Sequence, residues 1–152
     1  MIILIFGQPA SGKTTLAKDF ISQADSLDFN RNDFVHIDGD KWREISENKD
    51  YSREGRIRNL KGAFDMALYL EKEGFMPVLS FVTPYEEIRE YLKSKAENLR
   101  MIYLTYSEDR GRTKFFANDF EKPITGEYLL LDTSRLTIVE CTHKIINYVL
   151  KP

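Results

Sequence analysis

At 152 residues, 42% of them hydrophobic, the chain fits one domain that buries about two thirds of the surface its unfolded form exposes. Its 22 lysines and arginines against 24 acidic residues leave a formal charge of -2, and their scatter excludes the broad basic face of a nucleic-acid binder and suits a small anionic ligand. No apolar run approaches the ~20 residues of a membrane span, no basic leader precedes the first apolar stretch, and the single cysteine, Cys141, excludes an internal disulfide; a cytoplasmic protein with Cys141 as a packing residue is expected.

The first element organises the rest. Ile2 to Phe6 is an apolar, β-branched run that reads as a buried strand, and Gly7 to Thr14 matches G-x-x-x-x-G-K-[ST] at every fixed position. Backbone N–H groups can converge on a triphosphate only where side chains do not crowd the turn, hence Gly7 and Gly12. Gln8, Pro9, Ala10 and Ser11 complete the loop, and the helix that starts near Lys13 turns its positive end to the same anion. Lys13 is expected to reach the β- and γ-phosphates of ATP, Thr14 to ligate Mg²⁺, and Thr15 to follow in the first helical turn.

From Lys13 to Gln23, Leu16, Ala17, Phe20 and Ile21 recur at helical spacing. A polar link, Asp25 to Asp33, leads to a short strand, Phe34 to Ile37, which ends at Asp38-Gly39-Asp40. In a parallel open sheet the strand ends share one edge, so Asp38 and Asp40 are expected beside the phosphate loop, to hold Mg²⁺ or to orient a hydroxyl and take its proton. The spacing does not divide these jobs between the two. Glu54 to Gly74 is the longest helix, with Ile57, Leu60, Phe64, Ala67 and Leu68 as its apolar stripe and Arg56 and Asn59 on a different face.

Met76 to Val82 reads as a third strand, and Phe81 within it is expected mainly in the core. Thr83-Pro84-Tyr85-Glu86 reads as a capping box opening a helix to about Lys95, with Thr83 as its cap and any role at a ligand secondary. Leu99 to Leu104 and Tyr128 to Leu131 are further strands, and Leu136 to Leu150 a closing helix with Ile138, Val139, Ile145, Ile146 and Val149 inward. His36 and His143 lack metal-ligand company and are expected to be structural. Between the last two strands, residues 107–127 form a long polar stretch of the kind that serves as a lid. The whole predicts an α/β protein, a three-layer sandwich like the P-loop nucleoside monophosphate kinases, with a five-stranded parallel sheet in one domain over 1–152.

Four stretches together resemble the adenylylsulfate kinases, which move the γ-phosphate of ATP to the 3′-hydroxyl of adenosine 5′-phosphosulfate. They are Gly7 to Thr15; Asp38-Gly39-Asp40 with Arg43; Tyr51 to Asn59; and Ser80-Phe81-Val82-Thr83-Pro84-Tyr85 with Arg89. The resemblance implies that Arg43, Arg56 and Asn59 hold the phosphosulfate nucleotide beside Asp40, Phe81 and Thr83. It implies that Tyr51 stacks on adenine, that Asp38 and Asp40 serve metal and acceptor hydroxyl, and that a homodimer can form. Arginine forks match phosphate and sulfate oxygens, and an aromatic ring offers a base its face. The second half departs from the family. Its lid is shortened to Glu108 to Phe116, where Arg110 is expected over the transferring phosphoryl and Phe115 or Phe116 as a second stacking ring, while Gly55 and Arg58 replace acidic residues usual in the family. Kinases for another nucleoside, sugar or polynucleotide end, and a nucleotide-binding module without turnover, are the alternatives.

Overall fold

A computed structural model of the chain describes residues 1–23, 29, 30, 33–123 and 128–151. Five strands, β1 (Ile2–Gly7), β2 (Phe34–Asp38), β3 (Met76–Phe81), β4 (Leu99–Thr105) and β5 (Leu129–Asp132), pair in the order β2-β3-β1-β4-β5. Every pairing is parallel. The helices are α1 (Lys13–Ser22), α2 (Gly39–Ile45), α3 (Arg53–Lys72), α4 (Glu86–Lys93) and α5 (Ile138–Val149). The polar link expected over Asp25 to Asp33 falls mostly outside the described residues.

β1 shows why the sheet is covered on both faces. Its side chains alternate, as a strand requires: Ile2, Leu4 and Phe6 pack with Leu60, Phe64 and Ala67 of α3 and with Ile88 and Leu92 of α4. Ile3 and Ile5 pack with Leu16, Ala17 and Phe20 of α1 and with Cys141, Ile145 and Val149 of α5. All five β1 side chains are completely buried, each contributing about 1.5–3 kcal/mol of transfer free energy. The three-layer α/β sandwich with an all-parallel sheet is therefore as expected, and Cys141 packs as expected too. β1 lies at the centre with β3 on one side and β4 on the other, so the direction of winding reverses at its C-terminal end. Such reversals leave a crevice at the strand ends, and the phosphate loop occupies it.

Several local expectations give way to tertiary contacts. Thr83 caps nothing: Tyr85 is the N-cap of α4 and makes no side-chain cap bond. The first α4 N–H, that of Glu86, is taken at 2.6 Å by the Glu121 carboxylate, and the Glu86 side chain turns to Arg89. The real capping box opens α5, where Thr137 and Glu140 bond each other's backbone N–H. Ile138 and Val139 are exposed, not inward, and Thr142 is buried in their stead, its hydroxyl donating to Asp19 at 2.6 Å. α2 is an element the sequence reading did not anticipate after Asp38-Gly39-Asp40: Asp38 is its N-cap, accepting from the N–H groups of Asp40 and Lys41.

Candidate active site

The loop between β1 and α1 is shaped by two glycines with different tasks. Gly7 has φ +150°, and a Cβ there would run into the Leu104 carbonyl of β4 and lie 3.1 Å from Ser11 Oγ, so close approach forbids a side chain. Gly12, the N-cap of α1, has φ +96° with open space around it; here the backbone angle is the constraint. Lys13 folds back over the turn, donating to the Gln8 carbonyl at 2.8 Å and to Ser11 Oγ at 3.4 Å. Burial lowers its pKa from 10.5 to about 8, although Asp40 and Asp38 pull it upward.

Asp38 joins this loop to β2 and β3. Thr14 Oγ1 donates to Asp38 Oδ2 at 2.6 Å, and Ser80 Oγ donates to the same oxygen at 3.0 Å. Since Ser80 spends its one proton there, His36 Nε2, 2.9 Å from Ser80 Oγ, is the donor in that contact. Burial opposes ionisation of Asp38, but the bonds from Thr14, the Lys41 N–H and Ser80 outweigh it and hold the carboxyl below its usual range. The two oxygens of Thr14 and Asp38 suit a hard cation that keeps most of its ligands as water and phosphate. Among the described residues no cluster of three His, Cys, Asp or Glu side chains forms an all-protein metal cage.

These groups open on a cavity of about 770 Å³. Across it stand Asp40, Arg43, Tyr51, Arg56 and Asn59, with Phe81 and Thr83 from the end of β3. Arg43 donates to the carbonyls of Asn48 (3.0 Å) and Asp50 (3.3 Å), and its guanidinium lies 4.2 Å over the Tyr51 ring; Arg56 donates to the Tyr51 carbonyl at 3.0 Å. Tyr51 is 62% exposed and its ring contacts two cations, Arg43 and Arg56. Asn59, expected on a face other than the apolar stripe, lines the cavity but is only 6% exposed and accepts from Ser46 Oγ. Phe81 does two things, packing edge-on to Phe64 and lining the cavity. Thr83 is completely buried at φ +45°, a strained angle for a β-branched residue, and its hydroxyl has no partner among the described residues.

The arginine expected over the transferring phosphoryl lies elsewhere. Arg110 lines a smaller cavity of about 220 Å³ on the other flank of the loop, with Gly12, Thr15, Thr133, Leu136 and Ile138. It is tied there by the carbonyls of Ala10 and Thr133, each at 2.9 Å, by Glu108, and by the Tyr106 ring 4.3 Å away. Arg112 and Lys114 instead line the large cavity with Phe115 and Phe116, and the Arg112 charge is among those that depress the Lys13 pKa. The sequence offered three basic residues in one stretch, and nothing in their spacing says that Arg112 and Lys114 line the large cavity while Arg110 does not.

A model of the adenylylsulphate kinase family matches residues 1–114. The chain belongs to that family. Membership indicates an ATP-dependent phosphotransferase. Among adenylylsulphate kinase relatives, a protein of Aeropyrum pernix named "Probable adenylyl-sulfate kinase" is 34% identical over 132 residues, 84% of this chain and 70% of that protein. A cytidine diphosphoramidate kinase of Campylobacter jejuni is 29% identical over 103 residues, 68% of this chain but only 59% of that protein. In fold, the chain is similar to a Mycobacterium tuberculosis APS kinase solved with AMPPNP and APS, with a TM-score of 0.83 at 15% identity, covering 99% of this chain and 97% of that one. No helix among the described residues is long and apolar enough to cross a membrane.

Proposed function

We propose that this chain transfers the γ-phosphate of ATP to a hydroxyl of a nucleotide that carries a second anionic group, with adenosine 5′-phosphosulfate as the first acceptor to test. The observation that supports it most is the shared cavity: Lys13, Thr14 and Asp38 open on the same space as Arg43, Arg56, Asn59 and the exposed Tyr51 ring. On this reading the chain is one kinase domain whose lid is the segment from about 107 to 127.

ATP lays its phosphates along the loop N–H groups from Gly7 to Thr15. Its base enters the smaller cavity, which is lined by Arg110, Leu136 and Ile138 and so offers a planar guanidinium and apolar side chains to a base. Mg²⁺ held through Thr14 and Asp38 would neutralise phosphate charge. Lys13 exchanges the Gln8 carbonyl for phosphate oxygens. The acceptor's anionic groups meet Arg43 and Arg56, its base stacks on Tyr51 or Phe115, and the buried Thr83 hydroxyl gains a partner. The acceptor hydroxyl then attacks the γ-phosphorus in line. An O–P bond forms, the bond to the bridging oxygen of ADP breaks, and the proton passes to Asp40 or Asp38. Arg112, turned into the cavity, offsets charge on the transferring group.

A second reading differs only in the acceptor. The Campylobacter relative is named for cytidine diphosphoramidate, and a lid trimmed to Glu108–Phe116 leaves the base end of the cavity with fewer fixed walls. A coupled ADP-release assay with adenosine 5′-phosphosulfate, cytidine diphosphoramidate and plain nucleoside phosphates separates the two. A kcat/KM for the phosphosulfate at least tenfold above the others supports the first reading, and preference for the phosphoramidate replaces it with the second. Turnover of none, with ATP still bound, refutes both. The homodimer is tested by light scattering on the eluted protein.

A further inference from the structure

Within the phosphate loop, one side chain serves no phosphate. The carboxamide of Gln8 points away from the anion site to the backbone of Ala117: Nε2 donates to the Ala117 carbonyl at 3.0 Å, and Oε1 accepts from the Ala117 N–H at 3.1 Å. This is the two-bond exchange of a closely paired residue in an antiparallel ladder, made here by a side chain. Ala117 is 2% exposed and immediately follows the residues that roof the large cavity, Arg112 to Phe116. At the other end of that roof, Tyr106 donates to the Pro9 carbonyl at 2.6 Å and Arg110 to the Ala10 carbonyl at 2.9 Å. The roof is thus slung between two ties to the loop, and Gln8 is the tie on the far side.

Gln8 also touches the reaction from its backbone. Its carbonyl accepts from Lys13 Nζ at 2.8 Å and from the Ser11 N–H at 3.3 Å. A triphosphate in the loop draws Lys13 away, so the residue released on one side is the residue holding the roof on the other. We infer that Gln8 is a positioning residue: its side chain fixes the roof over the acceptor cavity. This rests on reading the large cavity as the acceptor site. Only glutamine supplies donor and acceptor together at this reach. Glutamate has nothing to give the Ala117 carbonyl, asparagine is one methylene short, and methionine matches the length with neither bond.

The test combines backbone amide exchange in the free protein with steady-state kinetics on the full chain, using adenosine 5′-phosphosulfate as the acceptor probe. In Gln8→Met the Ala117 amide is expected to exchange about tenfold faster or more, the scale of losing a pair of net hydrogen bonds. The acceptor KM is expected to rise about tenfold while the KM for ATP moves less than about twofold, and Gln8→Glu is expected to shift both readouts in the same direction. Unchanged Ala117 exchange in Gln8→Met overturns the inference, and so does an equal rise in both KM values, the mark of a damaged loop. The exchange arm needs no substrate. A wild-type protein without turnover but with Gln8-dependent protection at Ala117 therefore refutes the proposed reaction and upholds the tie.

Discussion

Arg89 is a place where a single change reaches three parts of the fold at once. The side chain is 1% exposed and lies between Phe6 and Phe120, 5.4 and 5.9 Å from their ring centres. Its guanidinium donates to the Thr83 carbonyl at 2.8 Å, to the Glu121 carbonyl at 2.7 Å and to Glu86 Oε2. It therefore ties the end of β3, the first turn of α4 and the exit of the lid segment to one another. Arg89→Met keeps the stem against the two rings and removes every donor. Two carbonyls then lose their partner inside the protein, at about 1–3 kcal/mol each. The Glu86 side chain is 33% exposed, so water replaces most of what it loses. The sum is about 2–6 kcal/mol, a range centred near the cost of breaking other buried ion pairs. Against a whole stability of about 5–15 kcal/mol this is large, and it corresponds to a fall in Tm of roughly 10 °C. Urea titration followed by circular dichroism and by the fluorescence of Trp42, the single tryptophan, measures it. Glu86→Gln is the control and is expected to lose less than about 1 kcal/mol, because its charge is partly solvated. A loss below about 1 kcal/mol in Arg89→Met, with the m-value unchanged, would refute the reasoning, since the freed carbonyls would then have found water.

Four further outcomes are expected. Lys13 has a folded pKa of about 8 against 10.5, so folding releases its proton between those values and the free protein gains stability as pH rises through that window. The gain is read as a rising urea midpoint that Lys13→Met does not share; parallel midpoints in the two proteins would show that the lysine is not buried against its charge. ATP, by contrast, holds the lysine protonated, so titration calorimetry at pH 8 in buffers of different ionisation heat is expected to show uptake of about half a proton, absent in Lys13→Met. Thr137→Ala removes the α5 capping box and is expected to cost about 1 kcal/mol with kcat unaltered; a null effect on denaturation would show that the box is redundant. Asp38→Asn is expected to lower kcat about 10²–10⁴-fold, measured by ADP release, and retention of more than a tenth of wild-type kcat would remove Asp38 from the chemistry.

Two identical patterns show where sequence reading loses its hold. Thr83-Pro84-Tyr85-Glu86 and Thr137-Ile138-Val139-Glu140 both spell a capping box, and only the second makes one. Thr137 has local backbone alone to answer to. Thr83 lies under the lid exit, where Arg89 takes its carbonyl and Glu121, 35 residues away from Glu86, takes the helix N–H. The same holds for Arg110 and Arg112: they are two residues apart, and what separates them is the pair of carbonyls, Ala10 and Thr133, that captures the first. Asp38-Gly39-Asp40 hid a helix start because an N-cap and a turn use the same residues. A distant contact tells them apart, here the bond from Trp42 of α2 to the Asn59 carbonyl of α3.

Residue order alone carries the phosphate loop and the doubly covered first strand. The reason is locality: Gly7, Gly12 and Lys13 act through backbone angles and a one-turn reach, and the Ile2 to Phe6 alternation needs only the pleat. Folding chose which basic side chains of the lid enter the cavity, which threonine is strained instead of capping, and that a loop glutamine holds the roof. Each of those outcomes depends on a partner carbonyl, carboxylate or amide tens of residues distant, and a chain reading cannot see a contact before the sheet has brought its two halves together.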